Sequence, residues 1–416
     1  MQARCALTQR WPAAGCSVRA LIWLCLVVAA TAPCLAQQLQ SRPPQKPEDH
    51  QIKLDVRVED ALGKPVAGLT REDFSVSDNL SPMKIDSFSN SEAERNKEAP
   101  TEFENSVEIL FVIDALSSNF EEISRAKQQL IGYLRNSGGR LHHPVTILWL
   151  MKSGASKSSI ASGQVVIPLR NGAAFLHIIP ASSDGPALAQ QLDKSDILAS
   201  GSLAAQGISS EQVQLSMQAL EVLASGSADR PSRKMVLWVS PGWPLLMQRD
   251  GKMRERLFDY VVHMYTELQR ARVTLYAIDP LGVVGGAAPE IVQAQNSSQR
   301  VLQQSAPAGP AMNADASGSY SAFLQSPRSV KETQPNAVSL QVLAIQTGGL
   351  VSSHSNDLGS EIARCVAEAD TFYTLSYDAP VAKQANDYHA IQVAVRRHGV
   401  AVRARAGYYA QPTGVR

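Results

Sequence analysis

Residues Val107–Ser118 read VEILFVIDALSS: an apolar run that ends in a carboxylate, Asp114, with the hydroxyls of Ser117 and Ser118 just beyond it. Carboxylate and hydroxyl oxygens are hard donors, suited to a cation such as Mg²⁺ or to the polar groups of a partner. In an open α/β sheet, ligands gather outside the carboxyl ends of the strands. Asp114 is therefore the first candidate for a functional side chain, within what reads as a metal-ion site with parts missing.

Other chemistry finds little support. Gly63-Lys64 and Gly251-Lys252 are not followed by Ser or Thr, so there is no phosphate-binding P-loop. Neither a G-x-S-x-G elbow nor an H-E-x-x-H pair occurs. A hydrolytic triad drawn from Ser240, Asp279 and some histidine has no motif behind it. His142-His143, just before Pro144, reads as loop, and His389 and His398 fall in strands expected on the exterior. Arg396, Arg397, Arg403 and Arg405 read as exposed charges on a final hairpin, where they block edge-to-edge association. Trp243, in the sequence Pro241-Gly242-Trp243-Pro244, either anchors a partner or packs over the end of the sheet.

The chain has 416 residues, a formal net charge of +1, 44% hydrophobic and 19% charged residues. That is an ordinary globular composition, and the charge argues against nucleic-acid binding. Arg4, Arg10 and Arg19 precede the apolar run Ala20–Ala32, and no acidic residue appears before Glu48. With Cys34-Leu35-Ala36 offering small residues before Gln37, residues 1–36 read as a secretory signal peptide and the mature protein as periplasmic or extracellular, with no membrane span. Cys365 is the one cysteine beyond that leader, so no internal disulfide is expected and the thiol reads as buried and inert.

These residues need elements to position them. Residues 37–50 read as a proline-containing linker. Residues 51–104 begin with alternating Ile52, Leu54, Val56 and Val58, the period of a half-buried strand, and form a small β unit that ends in a charged linker. From 105 to 370, strands and helices alternate, which predicts a doubly wound, mostly parallel α/β sheet. Its strands fall at Val107–Asp114, Val145–Met151, about 164–169, Met235–Val239, Val273–Ile278 and 349–352. Its helices follow Phe120, Ile123, Leu130, Ile131 and Leu134, then Ser210–Ala224, Arg254–Gln269, Val338–Thr347 and Asp357–Ala369. Residues 282–335, rich in Ala, Gly, Ser and Gln, read as a mobile insertion. The strands of 371–410 cannot bury both faces alone, and are expected to complete a β-sandwich with the N-terminal unit.

VEILFVIDALSSNF with its following helix resembles the opening of a von Willebrand factor A domain, more specifically that of the acidobacterial VWFA-related proteins. Lys234–Ser240 with the PGWP sequence, TLYAIDP at 274–280, and FYTLSYD…YHAIQVAVRRHGVAVRARAGYYA strengthen the resemblance, which covers roughly residues 52–410 apart from the insertion. It implies an A-type α/β domain used for binding macromolecules. It also implies a metal site built from Asp-x-Ser-x-Ser, a threonine from a second loop and a later aspartate. Asp114 and Ser118 match that pattern. Leu116 replaces the first serine, no threonine occurs between Thr146 and Thr266, and Ser240 stands where the later aspartate belongs. A site with one carboxylate holds Mg²⁺ or another divalent cation weakly at best, so no metal or other cofactor is expected. Ser118-x-x-Glu121 and Asn119-x-x-Glu122 are also both capping-box patterns, so Ser118 is open to capping as well as to ligation.

The sequence thus points to an exported, non-enzymatic binding protein that presents Asp114, Ser118, Ser240 and Trp243 to a protein partner. Two other readings use the same face: an enzyme or enzyme subunit with 282–335 as a lid, and a structural component of the cell envelope.

Overall fold

The computed structural model describes residues 51–92, 107–153, 165–195, 209–230, 232–243, 251–280, 325–352 and 357–412. Gln51–Arg416 forms one compact unit. The signal peptide and linker read at 1–50, and most of the linker before 105 and of the insertion at 282–335, lie outside the described residues.

The chain begins with β1 (Gln51–Glu59), β2 (Phe74–Asp78), β3 (Ser81–Met83) and β4 (Ser87–Asn90). The α/β portion follows as β5 (Val107–Asp114), α1 (Phe120–Asn136), β6 (Arg140–Lys152), β7 (Val165–Leu169), β8 (Ala174–Asp184), α2 (Gly185–Asp193), α3 (Ser210–Ser225) and β9 (Arg233–Val239). It continues with α4 (Gly251–Arg270), β10 (Val273–Ile278), α5 (Leu340–Gln346), β11 (Val351–Ser352) and α6 (Leu358–Ala367). The chain closes with β12 (Tyr373–Asp378), β13 (Asp387–Val395), β14 (Ala401–Arg403) and β15 (Gly407–Ala410).

The central sheet has the order β11-β10-β9-β5-β6-β8-β7. Its first five strands run parallel, and β8 is antiparallel to both β6 and β7. Pleating turns alternate residues to opposite faces: Leu110 and Val112 of β5 meet α3, α4 and α5, while Ile109, Phe111 and Ile113 meet α1, α2 and α6. Both faces are covered, which is why β5 and β9 are apolar almost throughout. Each fully enclosed aliphatic side chain contributes about 1.5–3 kcal/mol to holding these layers.

The sequence reading of the central sheet lacks β8 and α2. AFLHIIPASSD has no regular period, but the start of α2 was marked: Asp184 caps Ala187 N–H at 2.9 Å, and Pro186 occupies the first turn. Phe120, which the helical period places on the buried stripe of α1, is instead 69% exposed. It is the first residue of the helix, where the stripe has not yet reached the sheet. Residues 325–335, read as part of a mobile insertion, pack against the core through Ser326 Oγ on Gln346 Oε1 (2.7 Å) and Tyr409 OH on the Pro327 carbonyl (2.8 Å).

The N- and C-terminal strands interleave in two antiparallel sheets, β14-β1-β12-β4 and β15-β13-β2-β3, around one apolar core. His389 of β13, read as exterior, is buried there. Asp78 Oδ1 accepts from its Nδ1 at 2.6 Å, and Asp78 Oδ2 accepts from the phenols of Tyr377 (3.0 Å) and Tyr408 (2.7 Å). The inward phase of the strand at 389 is tolerated because that carboxylate gives the ring a partner. His142 and His143, read as loop, belong to β6, and His143 Nε2 lies 3.1 Å from Asp370 Oδ1.

Arg403 and Arg405, read as exposed edge charges, are likewise buried. β14 pairs with β1, opposing Arg403 to Arg57, and the face carrying them is turned onto the α/β layers. Arg403 donates to Glu368 Oε1 at 2.6 Å, and Tyr276 OH of β10 donates to Glu368 Oε2 at 2.7 Å. Arg405 donates to the Val273 carbonyl at 3.4 Å. Arg272 completes the junction with a 2.6 Å ion pair to Asp55. Arg396 and Arg397 are exposed, as expected.

Candidate functional site

Asp114 ends β5 on the face that carries Leu110 and Val112, toward α3 and α4. Its carboxylate is fully buried. Oδ1 accepts from the backbone N–H groups of Leu116 and Ser117, both at 3.1 Å. Oδ2 accepts from the indole N–H groups of Trp238 and Trp243, both at 3.2 Å. An ionised carboxylate offers about four lone-pair sites, and four donors converge on this one.

Each donor is placed by a separate element. The chain turns back immediately after β5, which aims two successive amides at Oδ1. Trp238 lies on β9, beside Val112 in the parallel ladder. Trp243 arrives through the bend after β9, its ring edge-on to Trp238 with centroids 5.4 Å apart. That bend favours Gly242, whose φ of +103° strains any residue with a side chain. Ser240 Oγ accepts from Gly242 N–H at 3.1 Å and holds the bend.

The remaining positions are equally committed. Leu116, at the site of the missing hydroxyl, is buried in the apolar layer, and its carbonyl accepts from Gln212 Nε2 of α3 at 2.8 Å. Ser117 Oγ meets Ser216 Oγ at 3.3 Å. Asn119, not Ser118, caps α1: Asn119 Oδ1 accepts from Glu122 N–H at 3.0 Å, and Glu122 Oε2 accepts from Asn119 N–H at 2.7 Å. Of the two capping patterns in the sequence, the second is the one formed. Ser118 is buried beside it.

Burial pushes the Asp114 carboxyl above the usual carboxylate range. Ser216, Trp243 and Ser117 offset that in part, all of them neutral donors. Burial also raises Glu122, with Asp279 and Glu121 adding repulsion. A hard cation needs carboxylate oxygens with open lone pairs. Here those of Asp114 are engaged by N–H groups, Leu116 brings no oxygen side chain, and Ser240 is turned to its own loop. The residues present do not fit the metal site of an A-type domain. Among the described residues, no histidine hydrogen-bonds Ser240, whose hydroxyl meets the Gly242 N–H.

The structure therefore brings Asp114, Ser240 and Trp243 together, with Ser118 next to them, but as an internal hydrogen-bonded core of the strand end. All four are buried. Of the two roles open to Trp243, packing over the sheet is the one taken. Trp238 and Ser216 escaped the sequence reading because one lies inside an apolar strand and the other inside a helix, with no motif to mark either. Among the described residues, those exposed at this face include Phe120 and Glu121, at the first turn of α1, and Glu211, at the first turn of α3.

Fold and site together define an α/β protein with an antiparallel β-sandwich, whose central strand ends in a buried, hydrogen-bonded carboxylate. No protein-family model and no curated protein matches the chain. Among solved structures, it is similar in part to the pilus adhesin SpaC from Lactobacillus rhamnosus GG, at 13% identity with a TM-score of 0.22. That match covers 34% of this chain and 16% of the adhesin chain.

Proposed function

We propose that this is an exported, non-enzymatic binding protein related to the A-type domains, engaging a protein partner through its strand-end face without a metal ion. The observation that carries the reading is the saturation of Asp114 by four N–H donors. Where an A-type domain would hold a cation, two indoles close the site, so recognition falls to the surface above it. Phe120 supplies an exposed aromatic anchor there, on a helix start fixed by its capping box. Rigidly held aromatic side chains are common anchors of protein interfaces.

Titration calorimetry with Mg²⁺, Mn²⁺ and Ca²⁺ tests the metal-independent part, with no submillimolar binding expected. Submillimolar affinity that disappears in Asp114→Ala would overturn it. Capture of a partner from an envelope fraction tests the face: it is expected to resist chelator and to fall at least tenfold with Phe120→Asp. Capture that needs a divalent cation, or that ignores Phe120→Asp, would sink the assignment.

A further inference from the structure

A second site lies on the sandwich, away from the strand ends and independent of the reading above. β3 pairs with β2 only from Asp78↔Ser81 to Val76↔Met83. The chain then leaves that sheet: Ile85 turns into the core, and Asp86 N–H bonds the Ser376 carbonyl on β12 of the opposite sheet at 2.7 Å. Phe74 and Ser75 keep their partners on β13 but have none in the β2–β3 ladder. The gap at this sheet edge is an open groove of ≈ 350 Å³. Its floor includes Phe74, Val76 and Met83, and its rim carries Arg71, Arg396 and Glu72.

We propose that this groove binds the C-terminal end of an extended peptide from a partner protein, with an apolar last residue on the floor and the terminal carboxylate on the arginines. Three features select that ligand. A broken antiparallel edge is completed by another strand, the principle of β-augmentation. A strand continuing in the direction of β3 runs from Val76 toward Phe74 and meets the turn Arg71–Asp73, which stands directly before β2. A chain laid there has to end, and the end it presents to Arg71 is its carboxyl terminus. Arg71 and Arg396 stand here with Glu72, and Asp73 beside them feels both Arg396 and Arg397. Three guanidinium groups against two carboxylates leave the rim positive, and guanidinium matches a carboxylate in both shape and charge. Asp73 is oriented by its own turn, accepting from Thr70 N–H at 2.7 Å, and keeps its charge.

Fluorescence anisotropy with the intact protein tests this, using a fluorescein-labelled hexapeptide that ends in Val-Thr-Val-Phe with a free carboxylate. Saturable binding is expected, weakened about tenfold by Arg71→Ala and by Arg396→Ala, as for loss of one charge-assisted contact. The same peptide with a C-terminal amide is expected to bind at least tenfold more weakly. Both arginines reach the surface, so an unchanged melting temperature should accompany each loss; Arg396→Glu gives a second variant, on an exposed residue, with a larger expected loss. No saturation up to millimolar protein, equal binding of the amide, or indifference to both arginines would overturn the site. Competition by decanoate as effective as the unlabelled peptide would overturn the peptide as its ligand.

Discussion

Asp114 and Glu368 are both wholly enclosed carboxylates, and the protein accommodates them by opposite means. Glu368 sits at the junction of α/β layers and sandwich. Burial alone would raise its pKa, but Arg403 and Arg57, with the Tyr276 phenol, outweigh that and hold it below the ordinary range. Asp114 meets only amides, indoles and hydroxyls, and burial prevails, leaving it raised. Neutral dipoles can satisfy every lone pair of a carboxylate without neutralising its charge. A cationic partner does both, and ties two parts of the chain together as well. The strand-end carboxylate has been given the donors that complete a core.

The comparison breaks first at the junction. Glu368→Ala leaves the buried Arg403 guanidinium with Glu59, 3.4 Å away and partly exposed, as its counter-charge. Removing one member of a buried pair destabilises by about 3–5 kcal/mol, and the remaining partner places this loss toward the lower end. Urea unfolding at neutral pH checks this. Glu368→Gln, which keeps an acceptor for Tyr276, should recover part of the loss. If Glu368→Ala lowers stability by less than Asp114→Asn, the ranking of cation-paired over dipole-held carboxylates is wrong.

Asp114→Asn should have the second effect. The amide nitrogen cannot accept, so either the two indoles or the two backbone amides facing it lose their partner. Leaving buried donors unsatisfied costs about 1–3 kcal/mol, and the result should lie near the lower end because the amide carries no charge to desolvate. A matching loss of near-ultraviolet circular dichroism from Trp238 and Trp243 would tie the effect to the indoles. A stabilised Asp114→Asn variant would show that the indole contacts contribute nothing.

Much of this arrangement was legible in the sequence, and the illegible parts share a cause. The unbroken apolar run of β5, its terminal Asp114 and the amphipathic stripes of α1 and α4 fix a covered parallel sheet, because only strands buried on both faces read that way. The sandwich built from both chain ends followed from the shortage of strands at either end. Sequence patterns record how often a residue type faces inward, not which partner waits there. His389 and Arg403 are polar residues in terminal strands and Arg405 lies between two of them, and a polar residue in such a pattern is expected to face outward. They point inward because Asp78, Glu368 and the Val273 carbonyl, far away in the chain, receive them. Trp243 was ambiguous for the same reason: nothing local reveals that its N–H meets Asp114.

The smallest and most discriminating expectation concerns pH. Glu368 has a folded pKa below its ordinary 4.5, so its contribution is fully present above that value and is lost as pH falls through the folded pKa. Asp114 has a folded pKa above its ordinary 3.8. Its contribution is therefore fully present below 3.8 and is lost as pH rises through the folded pKa. Unfolding free energies of wild type, Glu368→Gln and Asp114→Asn, measured in urea from neutral pH down to about pH 3, separate the two. The advantage of wild type over Glu368→Gln should shrink on acidification. Its advantage over Asp114→Asn should widen, because the native Asp114 carboxyl takes up its proton before the unfolded one does. Parallel slopes for the two pairs would mean that the two carboxylates share one electrostatic environment, and the distinction between cation pairing and dipole capture would fall.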